Sequence, residues 1–447
     1  MAGALPARDG VLALAAMAAI LLISPDSLLA LPGVGQHLPK LLEVVALAAV
    51  CWTCWHGRHS LRLPFALGLG LAFVGHALLS GAWAPFPQSW QAQIVKLLHA
   101  ALLAPILCLA LRRVGDVRTA VVVFKSVSML CCLVALAQRF LPGLQVDPLA
   151  DDQAPGTGAG MALVYAEELS SGAAVRVSGT LGHSNALSLF LAGSLCLQPW
   201  LWARYQSPRA RLAIVLLTLV EALAMVFTYG RLGLIAFAVA GAWLLARGGF
   251  RHPLRLLGVA AGALVAVAPL LPAAWVERVF DPGHLQRSES IQGRWELQIH
   301  GAELGHELGF VGSGYGQFGQ LVFRQMHGSA KEAIEYQIGH TDLGYDLDDL
   351  GAHNAYLEVW VEQGWLGLLL WCGAGVAMLA GLVRLSRAAP GHDRLLCVCL
   401  EATVIAFAVA AIFIHTQEMK VLWIALGLVC AWLRAGTAAS LRTAALA

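Results

Sequence analysis

Twelve apolar stretches, most close to 20 residues long, divide the chain and constrain its fold more than any other feature. About 20 consecutive apolar residues match the thickness of a bilayer's hydrocarbon core when coiled as a helix. The stretches run over 11–30, 39–55, 61–83, 91–111, 119–140, 183–203, 210–228, 231–247, 254–272, 357–383, 395–414 and 418–434. Twelve such spans occupy just over half the chain, which is why 58% of its 447 residues are apolar and only 13% are charged. That charged share is about half the usual one for a soluble domain. Disorder, a disulfide scaffold and a soluble multidomain enzyme are therefore excluded, and an all-α polytopic membrane protein is expected.

The charges set the expected orientation. The net charge of +2 says little, but seventeen of the 29 basic residues fall on one side of the twelve spans. They are Arg8, Arg58, Arg62, Arg112, Arg113, Arg118, Arg204, Arg209, Arg211, Arg247, Arg251, Arg255, Arg384, Arg387, Arg394, Arg434 and Arg442. Short loops rich in Lys and Arg stay in the cytoplasm, so both termini are expected there. The chain then divides into spans one to nine over 1–272, with an outer loop at 141–182, a large outer segment at 273–356, and the last spans with a cytoplasmic tail at 357–447. The segment 273–356 carries twelve acidic and five basic residues, a balance suited to an aqueous compartment. Trp83, Trp90, Trp200, Trp202, Trp275 and Trp432 fall near span ends, as in an interfacial aromatic belt. All ten cysteines lie in or beside spans, and the C-x-x-C spacing of Cys51 and Cys54 has no redox context.

Several motifs imitate known chemistry. Residues 314–319 fit G-x-G-x-x-G, but a dinucleotide site needs a preceding strand and a βαβ unit. Residues 309–313 are too short and glycine-rich for that strand, so a tight turn with close backbone packing is expected. His306-Glu307 opens like a zinc-protease helix, yet Phe310 stands where the second histidine belongs. Asp342, Asp346, Asp348 and Asp349 lie beside His340 and His353, either as a divalent-cation site or as a solvated acidic loop. Glu43, His76, Lys96, His99, Lys125, Glu221 and Glu401 fall inside spans. Ionisable groups there must face a cavity or find one another. Lys125 and Glu221 in particular raise a transporter alternative, although no paired, broken spans recur in two halves.

Three outer motifs remain. The first is Arg176-Val177-Ser178-Gly179-Thr180-Leu181-Gly182-His183-Ser184-Asn185, entering the sixth span. The second, Thr228-Tyr229-Gly230-Arg231, is the whole connection between two spans. The third is distributed: Gly293-Arg294-Trp295, then Gly312-Ser313-Gly314-Tyr315-Gly316, then His353-Asn354-Ala355-Tyr356-Leu357-Glu358. It closes on Glu362-Gln363-Gly364-Trp365-Leu366-Gly367. Together these resemble the superfamily of O-antigen ligases (WaaL) and O-antigen polymerases (Wzy), which includes bacterial protein O-oligosaccharyltransferases. Gly230 departs from the serine that often precedes the motif arginine in that family.

The resemblance implies a GT-C-like glycosyltransferase of the bacterial inner membrane, with its active site facing the periplasm. The donor would be an undecaprenyl diphosphate-linked glycan and the acceptor a sugar hydroxyl of lipid A-core. Membrane lipids surround such a protein; no nucleic acid, metal or other cofactor is implied. His353 would be the general base and Arg231 and Arg294 the diphosphate ligands, with Asn354, Arg176, His183, Asn185 and Glu358 in support. The chemistry of these side chains agrees. Arginine offers a permanent planar cation to phosphate oxygens, and imidazole accepts a proton near neutral pH. Polymerase and protein transferase differ from ligase in acceptor, and both stay open.

Overall fold

The computed structural model describes residues 8–23, 37–56, 63–141, 176–249, 289–327 and 351–446, and within these the regular secondary structure is entirely helical. Helices α1 (Arg8–Leu22), α2 (Leu38–Trp55) and α3 (Phe65–Leu79) come first, followed by α4 (Pro87–Ala101), α5 (Leu103–Ala110) and α6 (Val114–Phe140). Next are α7 (Ser184–Leu195), α8 (Gln198–Arg204), α9 (Pro208–Phe227) and α10 (Arg231–Arg247). Beyond an interval outside the described residues lie α11 (Glu289–Glu307) and α12 (Phe318–His327). The chain finishes with α13 (Ala355–Ala388), α14 (Gly391–Ala410) and α15 (Lys420–Leu446).

Among the described residues, eight helical segments are long and apolar enough to cross a membrane: Leu38–Trp55, Phe65–Ala82, Pro87–Ala110, Val114–Phe140, Ser184–Arg204, Pro208–Phe227, Ala355–Ala388 and Lys420–Thr437. Three more of the expected spans coincide with helices that fall below that measure. Helices α1 and α10 have 15 and 17 residues, and α14 carries Asp393, Arg394 and Glu401. The expected span at 254–272 lies outside the described residues, as do most of the loop 141–182 and the acidic stretch with His340 and Asp342 to Asp349.

Helix starts follow local chemistry. Ser207 caps α9, its Oγ accepting from the Ala210 amide at 3.3 Å, with Pro208 as the first helical residue. Asp116 does the same for α6 from inside the first turn, accepting the amides of Arg112 (3.1 Å) and Arg113 (2.9 Å). One large apolar core gathers α1, α6, α7, α9, α10, α14 and α15, and a second joins α3, α4, α5 and the middle of α13. Trp200 and Trp432 lie inside this packing, 0% and 1% exposed, so neither belongs to an aromatic belt. Each fills core volume, and Trp432 Nε1 sits 3.1 Å from Cys397 Sγ. All ten cysteines are free thiols.

Several of the ionisable groups inside spans form ion pairs. Lys125 Nζ lies 2.6 and 2.7 Å from the two Glu221 oxygens and 3.0 Å from the Ser194 carbonyl. Ser128, Ser194 and Gln198 donate to the same carboxylate at 2.6, 2.8 and 2.9 Å. The pair is thus a hydrogen-bonded clamp of α6, α7, α8 and α9. Glu43 pairs with His99 at 3.2 Å. At the arginine-rich end of the bundle, Arg112 pairs with Asp9 and Arg118 with Asp393, while Arg247 reaches Glu401 at 3.1 Å.

Candidate active site

The opposite end of the bundle collects the starts of α7, α10 and α13. Asn354 caps α13, its Oδ1 accepting the amides of Tyr356 (3.1 Å) and Leu357 (3.2 Å). His353, one residue earlier, has φ of +49°. A residue with a Cβ adopts that left-handed conformation only when its surroundings impose it, at a cost of about 1–3 kcal/mol. Here both flanks are fastened. The Ala352 amide donates to Glu358 Oε2 at 2.9 Å, and the Ala355 amide donates to the Ala411 carbonyl at 2.8 Å. Glu358 therefore acts on the backbone that presents His353.

Three cationic or ionisable side chains from distant parts of the chain act electrostatically on that imidazole: Arg294 of α11, His183 at the start of α7, and His415 from the α14–α15 connection. The His415 ring lies 6.3 Å away, centroid to centroid. Burial first, then Arg294, His415 and His183, push the His353 pKa from 6.5 down to about 3. Each of these effects penalises the imidazolium, so the ring is neutral at physiological pH with a lone pair to offer.

The first two motifs form one unit. Val177 donates its amide to the Phe227 carbonyl at 3.1 Å. Arg176 binds the Thr228 carbonyl through Nε and Asn185 Oδ1 through a terminal nitrogen, both at 3.2 Å. His183 Nδ1 accepts the Asn185 amide at 3.1 Å, which makes it the cap of α7 and fixes Nδ1 as the unprotonated nitrogen. The turn to Arg231 runs through Tyr229, another left-handed residue (φ 53°). Helix α10 then packs tightly on α7: a Cβ on Gly233 would lie 2.0 Å from Ser188 Oγ and 2.8 Å from its carbonyl oxygen. Arg231 thus opens α10 against the helix whose cap, His183, acts electrostatically on His353.

The glycine-rich segment is a structural splice. Helix α13 breaks at Gly364 (φ 62°, ψ −165°), which would leave polar backbone groups unsatisfied within a span. Residues 310–314 replace the missing rungs. Ser313 and Gly314 donate their amides to the Val361 and Glu362 carbonyls at 3.1 and 2.7 Å, and the Phe310 carbonyl accepts from Leu366 at 3.1 Å. The crossing is so close that a Cβ on Gly312 would sit 2.4 Å from the Gly364 nitrogen. The Glu362 carboxylate is then wrapped by backbone amides of Gly316, Gln317 and Phe318, the last at 3.1 Å. The segment also docks on the α3–α4 connection, Tyr315 donating its amide to Ser80 Oγ at 2.9 Å. Buried beside Glu418, to which its hydroxyl donates at 3.0 Å, Tyr315 is held well above the usual phenol range. Glu362 accordingly belongs to the splice, whereas Glu358 belongs to His353.

The eight site residues implied by the resemblance all fall within the described residues. Arg176, His183, Asn185 and the Arg231 turn assemble on α7; Arg294, His353, Asn354 and Glu358 assemble at the start of α13; His183 joins the two groups. His415 was not expected. It stands in no motif, and only the return of the α14–α15 connection to α13 reveals it.

Fold and site together define a polytopic helical membrane protein with a neutral histidine and several arginines gathered at one end. Residues 212–372 match the family model of the O-antigen ligases, which supports membership of the O-antigen ligase and polymerase superfamily. The match takes in Arg231, Arg294, His353 and Glu358 and stops before His415. No curated protein matches the chain.

Proposed function

We propose that this protein is an O-antigen ligase, transferring glycan from undecaprenyl diphosphate to a sugar hydroxyl of lipid A-core. The observation that carries the reading is His353, held in a left-handed conformation and kept neutral beside Arg294. In the proposed reaction the acceptor oxygen attacks the anomeric carbon and gives its proton to His353. The glycosyl–oxygen bond to the diphosphate breaks, its electron pair leaves with the lipid diphosphate, and the anomeric centre inverts. Arg231 and Arg294 bind the diphosphate and stabilise the charge that grows on it, aided by the starts of α7, α10 and α13, whose dipoles favour anions. The arginines supply the countercharge that a metal would otherwise give, and the energy resides in the donor's own glycosyl–diphosphate bond.

Arg176, Asn185 and His183 shape the donor side, and Asn354 and Glu358 hold the base. The arginine-rich end faces the cytoplasm with both termini, and the site end faces the periplasm, in keeping with the bias of basic residues. Helix α11 carries Arg294 to the start of α13, within the stretch expected from sequence to be periplasmic.

Complementation of a ligase-deficient strain tests the reading. Wild-type protein is expected to restore glycan on lipid A-core, and His353→Ala to lose it while still inserted at normal levels. Longer lipid-linked glycan without transfer to lipid A-core would assign the polymerase branch; glycosylated protein would assign the protein transferase branch.

A further inference from the structure

The α14–α15 connection is fastened to the start of α13 on both sides of His415. On one side the Ala411 carbonyl accepts the Ala355 amide at 2.8 Å. On the other, Gln417 Nε2 donates to Glu358 Oε1 at 3.3 Å, and the Gln417 carbonyl accepts from Trp423 Nε1 at 2.7 Å. Glu358 therefore anchors both histidines: one oxygen binds the backbone ahead of His353, the other binds Gln417 beyond His415. Gly351 packs closely on both Glu358 and His415: a Cβ there would stand 2.8 Å from Glu358 Oε2 and 3.1 Å from His415 Nδ1.

The two rings, 6.3 Å apart at their centroids and inclined at 43°, are too far apart to bond to each other directly. Ring nitrogens lie roughly 1.2 Å from the centroid, so nitrogens turned toward each other are separated by about 4 Å or more. One oxygen at hydrogen-bond distance from both, about 2.8 Å, fits that interval.

We infer that His415 is a second imidazole of the acceptor site, holding the attacking hydroxyl against His353. This rests on the transferase reading above. His415 donates a ring N–H to the hydroxyl oxygen and keeps its proton throughout. The hydroxyl proton passes to His353 as the oxygen bonds to the anomeric carbon and the diphosphate departs.

The test is steady-state transfer by the full-length protein in detergent, with purified lipid A-core as acceptor and lipid-linked glycan as donor. For His415→Ala, loss of one hydrogen bond to substrate is expected to raise the acceptor KM about tenfold or more, with the donor KM unchanged. His415→Gln, which keeps a donor at similar reach, is expected to recover most of the loss. His415→Phe fills the ring volume without the hydrogen bond; it is expected to behave like the alanine variant and decides the matter if that variant does not fold. A wild-type acceptor KM in the folded Ala or Phe variant, or a fall in kcat alone, would overturn the inference. His353→Ala separates the two readings. If it retains full transfer, the proposed site falls; if it is inactive while His415→Phe keeps its acceptor KM, only the role of His415 falls.

Discussion

Glu358 accepts the Ala352 amide hydrogen at 2.9 Å and so fixes the chain immediately before His353. A carboxylate in the first turn of α13 thereby holds a strained residue just outside it. Glu358→Gln keeps an oxygen able to accept that bond, and we expect it to retain transfer within a few-fold. Glu358→Ala frees the strained backbone, and we expect kcat to fall about 10- to 100-fold, the scale associated with small displacements of a catalytic group. Initial rates on both purified variants, with thermal melts as a folding control, measure the difference.

Arg294 is the largest charge acting on His353. With its pKa lowered to about 3, His353 in the free enzyme stays unprotonated as pH falls through 6 and 5, so this group gives kcat/KM no acid limb in that range. Removing the neighbouring cation in Arg294→Gln lets the pKa rise toward 6.5, and the acid limb of the residual activity moves to higher pH. Arg294→Lys keeps a cation and holds the limb lower, though donor use suffers from loss of the planar fork. The linkage has a definite sign. The folded-state pKa lies below the unfolded one, so the neutral ring's contribution to stability is full above about pH 6.5 and is lost as pH falls toward 3. The pH profiles of kcat/KM for the three proteins decide this.

Gly233 lets α10 touch α7 at Ser188. For Gly233→Ala, relief through the serine side chain alone is insufficient because the Ser188 carbonyl stands 2.8 Å from the new carbon. The helices must separate, at a cost of about 1–3 kcal/mol, and Arg231 moves with α10. A lowered melting temperature and a raised donor KM are expected, and adding Ser188→Ala should restore neither fully.

Lys125 and Glu221 are a structural clamp. Removing one partner leaves a buried charge, and Lys125→Met alone should cost about 3–5 kcal/mol. Pairing it with Glu221→Leu should recover most of that stability and preserve glycan transfer. Melting curves and the complementation readout check both halves; a stable but inactive double variant would give the pair a part in the chemistry.

The helices were legible as apolar runs because a bilayer demands uninterrupted length, and their ends were legible less well. Helix α13 runs to Ala388 rather than 383 and α4 begins at Pro87 rather than 91, since polar and arginine-bearing turns continue a helix past its apolar stretch. Arg176, His183 and Asn185 could be singled out because they share one short motif. The splice at Gly364 could not, because which backbone a glycine-rich turn will cross is decided by an element some fifty residues away. His415 was silent for the same reason. The distinction between Glu358 and Glu362 was equally hidden: the spacing puts both on one helical face, but only the folded loop shows that amides claim the second.

The splice also orders the birth of the molecule. Residues 310–316 leave the ribosome before residues 361–366, so the backbone that completes the interrupted span already exists when that span is made. A polypeptide in which the order were reversed, by circular permutation between 327 and 351, would have to lodge a defective helix in lipid and wait for its repair. The native arrangement spares the nascent protein that exposed stage, and ties the arrival of the His353 helix to prior delivery of the segment carrying Arg294.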